Sequence, residues 1–214
     1  MKPLSLSYKF YILFSVILAI PASAIADKIS TYVSTLSPDN FFHYLYSVGV
    51  LEAPTTVAIL FLFFWIFSNY LWKIPGIKNV LGIPNINGRY EGELTSTHTE
   101  NNEQNGTYKV AIEIKQSLTG ISVLLYTERS CSYSLLASLV RNNNHNYELT
   151  YTYQNRTSAM NSDADMRDHR GATFLEIFDQ SKKLSGTYFN NPRERGRYGV
   201  INVEKVKGCL KGKF

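Results

Sequence analysis

Cysteine is almost missing from this 214-residue chain: only Cys131 and Cys209 occur, neither at metal-ligand spacing. Two thiols cannot build the disulfide framework of a small secreted domain, so both are expected to be free in a reducing compartment. A nucleophile elbow, a glycine-rich phosphate loop and a zinc-ligand constellation are also lacking. The usual sequence warrants for a hydrolase, a nucleoside triphosphatase or a zinc enzyme therefore fall away. No catalytic residue, metal or cofactor is expected. Charge is absent from the whole stretch Ala53–Trp72. Acidic residues are outnumbered 17 to 22 by Lys and Arg, giving a net charge of +5. That balance suits lipid headgroups, phosphates or nucleic acid, and equally the basic cytoplasmic flanks of a membrane protein.

The uncharged stretch has a centre, AILFLFFWIF, that is apolar on every helical face. It matches the roughly 20 residues needed to cross hydrocarbon, with Trp65, Tyr70, Trp72 and then Lys73 suited to the interface. A buried core helix would normally keep a polar face. An earlier apolar segment, Phe10–Ala26, lies between Lys9 and Asp27 and has Pro21 near its end. Its basic start and the run PASAIA also fit a cleavable signal peptide. Positive charge favours a retained helix: Lys2 and Lys9 precede the first segment, Lys73 and Lys78 follow the second, and the loop between carries one Lys and three acids. Both termini are then expected in the cytoplasm, with a multi-pass membrane hairpin between them. The expected division is an anchor over 1–80 with helices at about 10–26 and 53–72, a domain over 81–206, and a basic tail over 207–214.

From Asn87 onward the period changes to two. Tyr108, Val110, Ile112, Ile114 and Gln116 alternate with Lys109, Ala111, Glu113 and Lys115, which predicts a half-buried strand with the second set facing solvent. Leu118–Thr119–Gly120 supplies a tight turn into a second run, 121–130. Further runs at 87–96, 131–141, 146–155, 172–178, 183–190 and 197–206 bring the number of strands to eight, linked by short Asn-, Gly-, Ser- and Asp-rich turns. Eight sequential strands without a helical insert predict an up-and-down antiparallel barrel, with a two-sheet sandwich as the alternative.

A barrel of this size holds either packed side chains or one small ligand. Alternation places Tyr90, Gln116, Thr127, Arg129, Tyr151, Tyr153, Asn155, Tyr188 and Asn190 inside. Such a set is too polar for an inert core, because buried hydroxyls, amides and a guanidinium need partners. Aromatic rings with convergent polar groups suit a planar, phosphate-bearing ligand. Against this, an inward tyrosine is commonly a core packer with its hydroxyl at the rim, Arg129 beside Glu128 fits an ordinary surface position, and a one-residue slip turns any of them outward. The loop 157–170 holds Asp163, Asp165, Asp168 and His169 but lacks the glycine and glutamate of a calcium loop, so a solvated loop is expected, with His169 at the barrel mouth.

The order of short motifs is more specific than any one of them. Two transmembrane segments precede I-x-G-x-Y-x-G (Ile86 to Gly92), I-x-Q (Ile114 to Gln116), T-x-x-S-x-S (Thr127 to Ser132), L-x-Y-x-Y-x-N (Leu149 to Asn155), H-x-G (His169 to Gly171) and L-x-G-x-Y-F (Leu184 to Phe189). Over nearly its whole length the chain resembles the two-transmembrane, β-strand-rich effectors of bacterial cyclic-oligonucleotide-based anti-phage signalling systems (CBASS), which often have Trp where Tyr90 stands. The resemblance implies a lipocalin-like barrel that binds a cyclic dinucleotide made by a partner nucleotidyltransferase. Homo-oligomerisation in the lipid bilayer, membrane disruption and abortive-infection death of the cell would follow. DNA is not an expected partner. The implied ligand-binding residues are Tyr90, Tyr151, Tyr153 and Tyr188 for stacking, with Gln116, Thr127, Arg129, Ser130, Ser132, Asn155 and His169 as polar contacts.

Two rival readings stay open at this point. A membrane-tethered carrier or sensor of a small apolar ligand would need a largely apolar interior. A nucleotide-processing enzyme would need a base and a nucleophile in the barrel, for which His169 with Asp168 is the only start.

Overall fold

A computed structural model describes residues 2–3, 8–49, 52–96, 106–128, 130–141, 146–157, 169–190, 198–206 and 210–213. The chain divides into two compact units, Ser5–Trp72 and Lys73–Phe214 together with Met1–Leu4.

The first unit is helical. Helix α1 covers Tyr8–Ser34, with Pro21 inside it, and α3 covers Glu52–Asn69. Phe14–Ser34 and Thr55–Lys73 are each long and apolar enough to cross a membrane, with only 22% and 17% of their most apolar windows buried. Large apolar side chains such as Ile20 and Phe61 point outward, which suits lipid. Helix α1 packs against both α3 and α2 (Phe41–Ser47), and its positions Ala22, Ala26, Ser30 and Val33 are all buried and spaced to share one face. Small residues there allow close backbone approach. Phe14 packs against Phe67 with ring centroids 4.3 Å apart.

The first helix is longer than the sequence reading of 10–26. Asp27 and Lys28 do not end it, because neither residue breaks a helical backbone. It stops at Ser34, shortly before Pro38, whose ring disfavours helical geometry in the residue ahead of it. The connecting stretch taken as a loop also contains α2, Phe41–Ser47, capped by the Asn40 side chain, which accepts a hydrogen bond from the Phe42 amide at 2.9 Å.

In the second unit a short helix, α4 (Pro75–Leu81), begins on proline and ends with Gly82 in the left-handed region at φ +63°. The strands follow: β2 Gly88–Ser96, β3 Gly106–Gln116, β4 Ile121–Tyr126, β5 Ser130–Arg141, β6 Tyr147–Thr157, β7 Arg170–Phe178, β8 Lys183–Asn190 and β9 Tyr198–Lys205. Each pairs antiparallel with its sequence neighbours, and β9 pairs with β2, so the eight close into an up-and-down barrel. Closure leaves no long unpaired edge. A two-residue strand, β1 (Lys2–Pro3), adds to β5 opposite Arg141 and Val140.

Two sequence expectations change here. The run 121–130 is not one strand: the Thr127 amide donates to the Ser130 carbonyl at 2.9 Å, and their hydroxyls lie 3.0 Å apart. This turns the chain between β4 and β5. The second change concerns Ala111 and Glu113, which alternation sends to solvent, yet both are nearly inaccessible. The tail covers their face of the sheet. The Lys211 and Gly212 amides donate to the Glu113 carboxylate at 2.6 and 3.2 Å. The Arg89 guanidinium donates to Glu113 at 2.8 Å and to the Lys213 carbonyl at 2.7 Å. Burial alone would raise the Glu113 pKa; the hydrogen bonds from Lys211, Arg89 and Gly212 outweigh it and hold the carboxyl below its ordinary value.

Candidate functional site

The barrel interior divides along its axis. Near the end where the chain enters from Ile83, it is aliphatic: Ile114, Val123, Leu149, Leu175, Leu184 and Val203 are all essentially inaccessible. At least one polar group among them has a closing task. The Tyr90 hydroxyl lies 3.1 Å from the Ile86 carbonyl and 2.9 Å from that of Ser181, so its single proton serves two carbonyls of the segments that shut this end. Gln116 grips the same entry segment, accepting from the Ile86 amide at 2.9 Å and donating to the Pro84 carbonyl at 3.0 Å. Lys205 sits over the Tyr90 ring at 5.5 Å.

Toward the other end, the mouth, the inward positions become polar and aromatic. Their placement follows from strand parity around fully buried Leu149 and Leu175: the next inward residues on β6 are Tyr151, Tyr153 and Asn155, and on β7 Thr173. Cross-strand pairing joins Tyr151 to Thr173 and Thr173 to Tyr188. Ser132 donates to the Asn155 side chain at 2.9 Å, both buried. Tyr153 donates to the Asn190 side chain. Its ring lies 6.3 Å from that of Tyr151 and 6.2 Å, edge-on, from His169. The His169 carbonyl accepts from the Asn155 amide at 2.8 Å, which anchors that residue at the rim.

Two glycines make room for these rings. Gly171 faces Tyr153 across β6 and β7, and Gly199 faces Tyr188 across β8 and β9. A Cβ at Gly199 would lie 2.6 Å from the Tyr188 ring, and one at Gly171 would strike the Tyr153 hydroxyl.

The Tyr151 hydroxyl is the unusual group. It is fully buried beside Thr173, yet makes no hydrogen bond of normal geometry. Burial pushes its pKa up to about 12, with Thr173 acting weakly in the opposite direction. Tyr153 is raised further, first by burial and then by Tyr151 and Tyr188 beside it. Both phenols therefore stay protonated at physiological pH; Tyr153 gives its proton to Asn190, and the Tyr151 O–H is the donor left without an acceptor at normal geometry among the described residues. An unsatisfied buried donor costs about 1–3 kcal/mol, which is recovered when an acceptor arrives.

Of the residues singled out from sequence, the fold brings together Ser132, Tyr151, Tyr153, Asn155, Tyr188 and His169. Thr127, just past β4, and Ser130, the first residue of β5, close the turn between these strands at the mouth end. Tyr90 and Gln116 are interior but hold the closing segments. Arg129, Asp163, Asp165, Asp168 and Cys209 lie outside the described residues. Cys131 is a free thiol, and burial raises its pKa. Among the described residues no cluster of metal-ligating side chains occurs. Sequence reasoning missed Thr173, whose signal was its two-residue spacing from Leu175, and Gly171 and Gly199, which become legible only once the tyrosines opposite them are known.

Comparison with known proteins covers the barrel as a whole. Residues 81–205, more than half of the chain, match the family model described as Cap15, cyclic dinucleotide receptor domain. The match starts at the last residue of α4 and ends at the last residue of β9, taking in the barrel. The chain is also 26% identical over 146 residues to CD-NTase-associated protein 15 of Yersinia aleksiciae, covering 68% of this chain and 66% of that relative, slightly under two thirds of its length. An eight-stranded barrel with a tyrosine-lined, amide-bearing mouth half, matched from entry helix to closing strand, places this chain in the Cap15 cyclic dinucleotide receptor family.

Proposed function

We propose that the mouth half of the barrel binds a cyclic dinucleotide, and that the chain is the membrane-bound effector of a bacterial CBASS anti-phage system whose messenger comes from a partner nucleotidyltransferase. The observation that carries this reading is the buried Tyr151 hydroxyl, which makes no hydrogen bond of normal geometry among the described residues and lies with Tyr153, Tyr188, Ser132 and Asn155. Tyrosine faces offer stacking platforms for nucleobases, worth about 1–3 kcal/mol per base. Neutral phenol and hydroxyl donors then face the acceptor-rich rim of the ligand. Arg129, which falls between Thr127 and Ser130 in the sequence, is the proposed phosphate partner.

Binding in this scheme changes which assemblies are stable, because a ligand shifts an equilibrium only through unequal affinity for the two states. Assembly of the barrels gathers the attached apolar helices, disrupting the inner membrane and killing the infected cell. The proposed topology keeps barrel and N terminus on the cytoplasmic side. Pairing of Lys2–Pro3 with β5 supports it, since two spans lie between that dipeptide and the barrel strands.

The test is calorimetric titration of the full-length chain in detergent with cyclic di-GMP, cyclic di-AMP and cyclic GMP-AMP. One of these or a related cyclic dinucleotide binds without turnover, and Ser132→Ala weakens it about tenfold. No binding across a panel of cyclic dinucleotides, or conversion of the ligand to product, overturns the reading.

A further inference from the structure

The outer face of the barrel carries a band with large exposed apolar side chains among the described residues. Outward residues of neighbouring strands fall into rows, and one row runs through Leu136, Thr152, Ala172, Phe189 and Tyr198 by direct cross-strand pairing. The adjacent row passes through Phe174 to Val200. Neither row contains a charge. Leu136 is 72% exposed, Tyr198 64% and Phe189 46%, while Phe174 stacks on Phe189 at 6.0 Å. The β5 bulge between Ser134 and Leu136 turns Leu135 and Leu136 outward at one edge of the band.

Charge flanks the band with opposite signs at its two ends. On one side Glu148 and Glu176 stand directly opposite each other on β6 and β7. Like charges at facing positions repel, and neither forms an ion pair among the described residues. Eight and six residues along the same strands, beyond the uncharged rows, lie Arg156 and Arg170. A copy of this barrel related by a two-fold axis that crosses the strands in the plane of contact would set its arginines against these glutamates and its glutamates against these arginines, giving an isologous contact.

We propose that this band is a self-association surface, occupied by the same band of a second copy of the chain. With its charged flanks it measures about 27 Å along the strands and about 20 Å across them. Its area is thus several hundred Å², below the roughly 800 Å² per partner of a standard stable interface. Two convex sheets share only part of it, so the contact is weak in solution. It becomes effective where a membrane holds copies at high local concentration. This deepens the proposed effector reading by naming the surface through which barrels meet.

The test uses charge exchange in the full-length chain in detergent, with association read by sedimentation velocity at several concentrations, both without ligand and with the cyclic dinucleotide found by titration. Glu176→Arg and Arg170→Glu each weaken association about tenfold or more, and the double variant restores most of it. Each variant keeps its tyrosine near-ultraviolet signal and its ligand titration. Single exchanges without effect, a double variant that fails to recover, or a wild type that stays monomeric with and without ligand overturn the surface. Loss of contact with lipid vesicles instead of with a second copy overturns it equally. A titration that finds no ligand, while unliganded association still follows the charge exchange, removes the receptor reading and leaves the surface standing.

Discussion

The two halves of the barrel interior use the same strands for opposite ends. In the entry half, aliphatic side chains fill the space, and the polar groups Tyr90 and Gln116 bind segments of their own chain. In the mouth half, Tyr153 and Tyr188 face glycines, and the Tyr151 hydroxyl makes no hydrogen bond of normal geometry among the described residues. Burial without satisfaction marks a place where contacts are held for something outside the chain, whereas burial with satisfaction marks a structural clamp. Residue type alone does not separate them: Tyr90 and Tyr151 are both interior tyrosines, and their surroundings assign the roles.

The largest expected effect tests the aliphatic half. Leu175→Ala removes a fully buried side chain that pairs with Leu149, and should cost about 3 kcal/mol of stability. The measurement is thermal unfolding followed through the near-ultraviolet signal of the barrel tyrosines, since both tryptophans lie outside the barrel in the helical unit. Ligand affinity of the folded fraction should stay as in the wild type. A variant that loses affinity while remaining stable would erase the division between the halves.

A smaller loss is expected from Tyr90→Phe, which leaves the Ile86 and Ser181 carbonyls without their shared donor. It should cost about 1–2 kcal/mol in the same unfolding experiment and leave the calorimetric affinity unchanged. Weakened ligand binding with unaltered stability would move Tyr90 from the clamp into the ligand site, where the sequence resemblance had put it.

How much of this was legible beforehand depended on how far away the deciding partner lay. Period-two alternation needs only neighbours, so the eight strands and the inward positions of Tyr151, Tyr153, Asn155 and Tyr188 could be read directly. Glu113 could not, because the amides that bury it come from Lys211 and Gly212 at the far end of the chain. Tyr90 was placed inside by parity, but its partner Ser181 comes from the link between β7 and β8. The end of α1 differs from the expected one for a local reason: Asp27, the expected boundary, does not break a helical backbone, and the helix runs on to Ser34.

The smallest stability change carries the most information about function, because its sign is expected to oppose that of Tyr90→Phe. Tyr151→Phe removes a buried hydroxyl that has no hydrogen bond of normal geometry, so stability should hold or rise by up to about 1 kcal/mol, while affinity for the cyclic dinucleotide falls about tenfold. The pH dependence gives a second readout. In the unfolded chain a tyrosine ionises near its ordinary value of about 10, whereas folded Tyr151 holds its proton to about 12. Between these values the unfolded state binds fewer protons than the folded one, so stability falls as pH rises. Tyr151→Phe should therefore flatten the alkaline limb of the stability profile above about pH 10. A variant that is destabilised at neutral pH and binds ligand normally would show that Tyr151 is satisfied within the protein, and that the mouth half is an ordinary core.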